Sequence, residues 1–296
     1  MSKSRVAGKF RLVMIVRKAV ITAAGSDQRT LPLQTLIDRG GQARTVLNVI
    51  VGEAIDAGVD EIGVVVRAGD ESAFAAAAGE LEGKVRFIRQ EQPRGFGHAV
   101  ACAGDFVGGE PFLLLVSDHL FVSGGPTGCA RQLVELAQAE GCSVSAVQAT
   151  HESKLPRFGV VGGQRLHGRN GIYEVGEVVE KPTPTEAEQR LVVPGLRAGR
   201  YLCFFGMHVL MPTVFGILER VMAADPEGSF DLSGSLARLA GKERYLAFEV
   251  DGRRYDIGTG YGLLEAQLAM ALAGEGREEI LSMLVELLAQ MRGTDG

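Results

Sequence analysis

The stretch Phe112-Leu113-Leu114-Leu115-Val116-Ser117-Asp118 decides the fold. Five consecutive apolar residues between polar flanks are too few for a buried helix and fit a strand. With no alternation along the run, both faces of that strand must be covered, as in a parallel sheet packed between helices. The run then stops on Ser117-Asp118. In open α/β sheets, ligands bind just outside the carboxyl ends of strands. One segment therefore gives an architecture and a first candidate site residue.

The neighbouring segments agree with it. A short strand over residues 19–22 ends in Ala23-Ala24-Gly25. Val46, Ile50, Val51, Ala54 and Ile55 recur at helical spacing and predict a helix over 45–57, closed by Gly58. Strands are expected at 61–66, 85–89 and 143–150, and helices at 72–81, 98–105 and 132–140. Strand and helix alternate, which predicts an α/β fold with a doubly wound, mostly parallel, Rossmann-like sheet. Beyond residue 150 the pattern changes. Strands at 158–161, 172–179, 201–210 and 245–256 have less helix between them and suggest an inserted mixed sheet beside the site. The chain closes with amphipathic helices at 261–273 and 278–291. The second carries Ile280, Leu284, Leu287 and Leu288 on one face. That face either packs on the parent domain or joins a homo-oligomer.

Composition narrows the function classes. The chain has 296 residues with 31 Lys+Arg against 36 Asp+Glu, a net charge of −5. That balance argues against a nonspecific grip on nucleic acid or an anionic membrane. Forty glycines without a three-residue period exclude collagen and leave composition bias or ligand-facing backbone as explanations. Cys102, Cys129, Cys142 and Cys203 form no metal-ligand spacing, so free thiols in a reducing compartment are expected. The apolar run at residues 12–16 is too short for a signal peptide or a membrane span, and a soluble cytoplasmic protein is expected.

Familiar motifs are missing. Each Gly-Lys pair is followed by the wrong residue for a Walker A loop, and no G-x-S-x-G elbow occurs. What remains stands at strand ends. Ala23-Ala24-Gly25 lets a ligand approach backbone, and Arg29 can fork onto a phosphate. Asp118 and Asp256 each follow an apolar strand and can share a divalent cation with phosphate oxygens. Glu180-Lys181 can accept sugar hydroxyls and neutralise a phosphate. Taken singly, each also fits a plain turn or a solvated charge pair.

Their order along the chain is more specific. Ala-Ala-Gly-(x)3-Arg, Gln90-(x)2-Pro93-(x)-Gly95-(x)-Gly97-His98-Ala99, Ser117-Asp118, Phe158-Gly159-Val160-Val161, Val179-Glu180-Lys181-Pro182 and Tyr255-Asp256-Ile257-Gly258 follow one another. This series resembles the sugar-1-phosphate nucleotidyltransferases, and most of all the bacterial UTP–glucose-1-phosphate uridylyltransferases, over about residues 18 to 272. The resemblance implies a single domain over 1–296, with a nucleotide-binding half at 18–150, a sugar-binding half at 151–258 and C-terminal helices at 259–296. It implies that Ala23, Ala24 and Gly25 lie against base and ribose, and that Gln90 and Gly95 read the edge of uracil or thymine. Asp118 and Asp256 would hold Mg²⁺, Gly159 and Glu180 the sugar, and Lys181 its phosphate. Arg29, Lys181 and Asp118 would carry catalysis. The substrates implied are UTP or dTTP and a sugar 1-phosphate, glucose 1-phosphate foremost.

The phosphate loop departs from the family's Gly-x-Gly-Thr-Arg. Here it reads Gly25-Ser26-Asp27-Gln28-Arg29, shortened, with no lysine between Arg29 and Asp38. Asp27 puts a negative charge where triphosphate meets backbone in that family. Near Phe230-Asp231-Leu232-Ser233, Gly234 stands where the family often has an acid. Two further readings stay open on sequence: a regulatory homologue that binds a nucleotide sugar without turnover, and a metal-dependent glycosyltransferase.

Overall fold

The computed structural model describes residues 14–25 and 29–292. Asp27, with the repulsion expected of it, lies outside the described residues, as does the start of the N-terminal apolar run. In chain order the elements begin with β1 (Lys18–Thr22), the ribbon strands β2 (Thr35–Ile37) and β3 (Ala43–Thr45), and α1 (Val46–Asp56). Then come β4 (Glu61–Arg67), α2 (Glu71–Ala78), β5 (Val85–Gln90), α3 (Phe96–Cys102), α4 (Gly104–Val107), β6 (Phe112–Val116), β7 (His119–Ser123) and α5 (Cys129–Glu140). The second half holds β8 (Ser143–His151), β9 (Gly159–Arg165), β10 (Ile172–Glu180), α6 (Pro184–Arg190), β11 (Arg200–Leu210), α7 (Thr213–Ala224) and α8 (Ser233–Ala240). It ends with β12 (Tyr245–Glu249), β13 (Gly252–Asp256), α9 (Gly262–Leu272) and α10 (Arg277–Arg292).

Nine strands form one sheet in the order β5-β4-β1-β6-β11-β8-β12-β10-β9. β5, β4, β1 and β6 run parallel, as the alternating first half predicts. β11 enters antiparallel between β6 and β8, and β10 and β9 are antiparallel too, so the sheet as a whole is mixed. The second-half strands continue the first-half sheet instead of making a layer of their own. Two short ribbons stand apart, β2–β3 and β13–β7.

The three layers follow from side-chain alternation along fully buried strands. Ala19 and Ile21 of β1 face α1, α2 and α5, where Val46, Ile50, Phe74 and Leu133 complete one core. Val20, between them, faces the opposite side, with Val100, Val214 and Leu236 of α3, α7 and α8. Leu113, Leu114 and Leu115 are wholly buried, split between the same two cores. At about 1.5–3 kcal/mol for each such side chain, this strand is a large local source of stability.

Several boundaries differ from the sequence expectation for identifiable reasons. α1 starts at Val46 because the Thr45 hydroxyl accepts from the Asn48 amide at 3.0 Å. The helix expected at 98–105 starts at Phe96, behind Gly95, and breaks at Ala103 into α3 and α4. The strand expected at 245–256 is two strands. At the break, Gly124 donates to the Asp251 carbonyl and the Asp251 amide donates to Gln132, which turns β13 away from the main sheet onto β7.

Candidate active site

A cleft of about 520 Å³ opens where β1, β5 and β6 end, and it collects residues from 22 to 229 along the chain. On one side its wall is backbone. Ala23 and Ala24 are buried, and the Ala23 amide donates to the Val65 carbonyl at 2.8 Å, holding the β1 end flat. Gly25 follows with open space where a Cβ would be. Across from them, Gly95 has φ +92, and a Cβ there would lie 2.5 Å from the Phe230 carbonyl oxygen. The close approach is maintained by hydrogen bonds from Gly97 N to Phe230 O and from Phe230 N to Arg94 O, both 2.8 Å. So Gly95 is required by packing as well as by its position in the wall.

Gln90, the last residue of β5, is buried beneath this wall. Its amide Nε2 reaches His98 Nδ1 at 2.8 Å and the Gly95 carbonyl at 3.4 Å. Burial, with the nearby charge of Arg94, lowers the His98 pKa, which favours a neutral ring that accepts this bond. The amide is thereby oriented by two fixed partners at the back of the cleft.

The other side is made of side chains, and a second lobe of about 150 Å³ opens from it. Asp118, Arg157 and Glu180 line both lobes. Phe158, Gly159 and Phe204 close the smaller one. Gly159 is tightly enclosed: a Cβ there would lie 2.5 Å from Ser233 Oγ and 2.6 Å from the Phe204 ring. The Ser233 hydroxyl donates to Glu180 Oε2 at 2.6 Å, which fixes that carboxylate at the rim. Lys181 has φ +47, the one non-glycine positive φ among the described residues. Its amide donates to the Phe158 carbonyl at 3.1 Å, and its exposed ammonium sits 3.8 Å from Glu180 Oε1. Backbone held in this region costs energy and concentrates at functional sites.

Asp118 and Asp256 come together through the β7–β13 ribbon. Asp256 stands opposite His119 in register, and the Ile257 amide donates to the Asp118 carbonyl at 2.9 Å. Asp118 Oδ1 takes the His119 Nδ1 hydrogen bond at 2.7 Å, and Asp256 Oδ1 accepts from the Gly258 amide at 3.0 Å. Burial works to raise the Asp118 pKa, but the charge and hydrogen bond of His119 outweigh it, and the carboxyl is held below its ordinary value. Among the described residues no cluster of three or more acids, histidines or cysteines could hold a metal. Asp256 lines neither lobe, but the two carboxylates, each with one further oxygen, have the donor chemistry of a hard divalent cation.

Arg254, two residues before Asp256 on β13, lies 3.8 Å over the Phe158 ring and donates to the Cys203 carbonyl and the Thr150 hydroxyl. Burial pulls its pKa down to about 10, so it remains charged at neutral pH. It clamps the ribbon carrying Asp256 to the segment carrying Phe158 and Gly159.

Of the residues singled out in the sequence, Ala23, Ala24, Gly25, Gln90, Gly95, Asp118, Glu180 and Lys181 line the main cleft. Gly159 lines the smaller lobe, and Asp256 is joined to Asp118 through the ribbon. Arg29 is not in the wall. It is exposed, and its guanidinium pairs with Asp70 at 3.4 Å. Among the lining residues that escape sequence reasoning are Arg157, Ser229 and Ser233. Arg157 is exposed and has no ion-pair partner among the described residues. Its place directly before Phe158-Gly159 was the available signal. The larger cavity of about 850 Å³, beside α1 and the start of α5, holds none of the strand-end residues. Of its four basic groups, Arg44 and Arg131 are paired with acids, while Arg39 and Lys84 line it without an ion pair among the described residues.

Residues 18–272 match the model of the nucleotidyl transferase family. The chain belongs to that family. The UTP–glucose-1-phosphate uridylyltransferase YngB of Bacillus subtilis is 29% identical to it over 92% of this chain and 96% of its own length. The enzyme of that name from Pseudomonas aeruginosa is 26% identical over 85% of this chain and 95% of its own. Among solved structures, a UDP-glucose pyrophosphorylase complexed with UDP-glucose superposes with a TM-score of 0.70 at 24% identity, covering 86% of this chain and 98% of that one. A UTP-bound enzyme from Acinetobacter baumannii gives 0.71 at 22%, covering 92% and 100%. The α/β fold of this nucleotidyl transferase is theirs. No helix of its described residues is long and apolar enough to cross a membrane.

Proposed function

We propose that this nucleotidyl transferase makes UDP-glucose and pyrophosphate from UTP and glucose 1-phosphate, as a single domain over 1–296. The observation that carries the proposal is the convergence, in one cleft, of a bare backbone wall with an oriented Gln90 and a side-chain wall of Asp118, Glu180, Lys181 and Arg157. The uridylyltransferase relatives, which act on UTP and glucose 1-phosphate by name, support uridine and glucose.

In this reading, Ala23, Ala24 and Gly25 lie along base and ribose, and the Gln90 amide with the Gly95 backbone pairs with the edge of the base. Glucose enters the smaller lobe. There the Gly159 backbone and the Glu180 carboxylate, steadied by Ser233, take its hydroxyls. A phosphate oxygen of the sugar phosphate attacks the α-phosphorus of UTP. The new O–P bond forms as the bond to the β-phosphate bridging oxygen breaks, and pyrophosphate carries away the electron pair. Lys181 and Arg157 neutralise the charge on the sugar phosphate and hold it in line, so catalysis is positioning plus electrostatic stabilisation. Arg29 serves the triphosphate once it leaves Asp70. Asp118 and Asp256 would hold Mg²⁺, which supplies charge neutralisation at the triphosphate.

The four cysteines are unpaired and three are buried, in keeping with a reducing, cytoplasmic setting. The direct test is pyrophosphate release from UTP and glucose 1-phosphate with Mg²⁺, with dTTP and other hexose phosphates as competitors. Turnover is expected with UTP and glucose 1-phosphate at the highest kcat/KM. UDP-glucose binding without turnover of any pair would favour a regulatory homologue instead.

A further inference from the structure

The Gln90 amide is held one way round by two acceptors. The Gly95 carbonyl, 3.4 Å from Nε2, can only accept a hydrogen bond, so it selects the NH₂ end of the amide. His98 Nδ1, 2.8 Å from the same nitrogen, must then present its lone pair, which leaves the ring proton on Nε2. That ring nitrogen faces Cys102 Sγ, one turn further along α3 at 4.0 Å, a weak acceptor for an N–H. Burial and the charge of Arg94 disfavour a second proton on the ring. Two polar groups are left over. Gln90, only 3% exposed, accepts no hydrogen bond at Oε1 among the described residues. The Gly95 amide donates to no described residue. Both residues line the main cleft, whereas His98 stands behind it.

We propose that His98 is a positioning residue that makes this cleft select uracil or thymine over cytosine, by holding Gln90 with its carbonyl oxygen toward the base. The role rests on the uridylyltransferase reading of the cleft. Uracil and thymine carry a hydrogen on N3 between two carbonyl oxygens. They offer a donor to Gln90 Oε1 and an acceptor to the Gly95 amide. Cytosine has a lone pair on N3, which in the same ring placement meets the lone pairs of Oε1.

An amide free to turn over would offer its NH₂ to cytosine N3 and take either base. Here, turning it over points Oε1 at the His98 Nδ1 lone pair and at the Gly95 carbonyl oxygen, both repulsive. His98 thus refuses the wrong base through a second residue, which is specificity gained by a penalty on the competitor. The methyl group of thymine leaves this edge unchanged, so the pair treats UTP and dTTP alike.

Calorimetric binding of UTP, dTTP and CTP to the full chain tests the role, alongside pyrophosphate release from each with glucose 1-phosphate. The parent is expected to bind UTP at least ~100-fold more tightly than CTP. His98→Leu removes the acceptor but keeps bulk, and should shrink that ratio to about 10-fold or less. UTP and dTTP should weaken together while CTP tightens, and KM for UTP should rise with kcat moving far less. His98→Asn puts an amide oxygen close to the place of Nδ1 and should bring the ratio back to within about 3-fold of the parent's. If His98→Leu does not fold, His98→Ala gives the same readout. A parent ratio under about 10-fold overturns the proposal. So does a Leu or Ala variant that keeps the parent ratio, because a merely structural histidine weakens all three nucleotides in step. A His98→Asn protein no more selective than His98→Leu overturns it as well. Equal pyrophosphate release from UTP and CTP removes this role alone, whereas a parent that binds no nucleoside triphosphate removes the uridylyltransferase reading with it.

Discussion

The two walls of the cleft are built on different principles. The wall proposed to face the nucleotide is backbone, supplied by Ala23, Ala24, Gly25 and Gly95, and its shape is set locally by small side chains and by the +92 φ of Gly95. The wall proposed to face the sugar phosphate is made of polar side chains, and parts of it are held by residues far away in sequence. Ser233 is 53 positions from the Glu180 it steadies, and Arg254 clamps Phe158 from the strand that carries Asp256. A backbone wall recognises shape and is damaged by added atoms. A side-chain wall recognises charge and is damaged by lost atoms. The two therefore fail in different ways when substituted.

The largest effect is expected where charge matters most. Asp118→Asn keeps the shape of the side chain and its reach to His119 but removes the negative charge. A fall in kcat of at least ~10³-fold with an unchanged melting temperature is expected, measured by pyrophosphate release across a Mg²⁺ titration. Activity retained at ordinary Mg²⁺ would take Asp118 out of the metal site. Next come Lys181→Ala and Arg157→Ala, each expected to lower kcat/KM for the sugar phosphate by roughly 10- to 100-fold. Arg157 separates the two principles cleanly, because it has no ion-pair partner among the described residues. Its loss should leave folding untouched, and a variant as active as the parent would reduce it to a surface charge.

How much of this was legible in the sequence follows the same division. Ala23-Ala24-Gly25 was read directly, because it closes an apolar strand and strand ends are where such sheets bind ligands, whereas Gln90 and Gly95 came only from the resemblance to the family. Asp118 and Asp256 were read for that reason too, but their pairing was not. It depends on β7, which follows Ser117-Asp118 with no turn signal, and on a break at Asp251 inside what looks like one strand from 245 to 256. Ser233 drew attention only as the residue before Gly234. Nothing local to it points at Glu180, because the contact exists only once α8 lies on β10. The exposure of α10 was equally hidden: its sequence is that of a helix with a core-facing stripe, and only the packed fold reveals that the core is elsewhere.

The backbone wall is probed by adding one methyl group. In Gly95→Ala the new Cβ would stand 2.5 Å from the Phe230 carbonyl oxygen, at a φ of +92 that alanine rarely adopts. A stability loss of about 2 kcal/mol is expected, seen as a melting temperature lower by roughly 5 °C. Because α3 begins at this point, KM for UTP should rise as well. If stability holds and only KM for UTP moves, the glycine serves the ligand and not the packing against Phe230.

The smallest effect tests whether the side-chain wall is oriented or merely present. Ser233→Ala deletes the donor 2.6 Å from Glu180 Oε2 without touching the carboxylate itself. One hydrogen bond to a charged group near the surface contributes about 1 kcal/mol, so KM for glucose 1-phosphate should rise about 5-fold with kcat within about 2-fold. A purely structural serine would instead lower the melting temperature and leave the kinetic constants together. The decisive comparison is the cycle with Glu180→Gln. If Ser233 acts through Glu180, adding Ser233→Ala to Glu180→Gln makes little further difference, because the group it orients has lost its charge. If the two losses simply multiply, Ser233 has a contact with the sugar of its own, and the far-reaching orientation that distinguishes this wall from the backbone wall does not extend to Glu180.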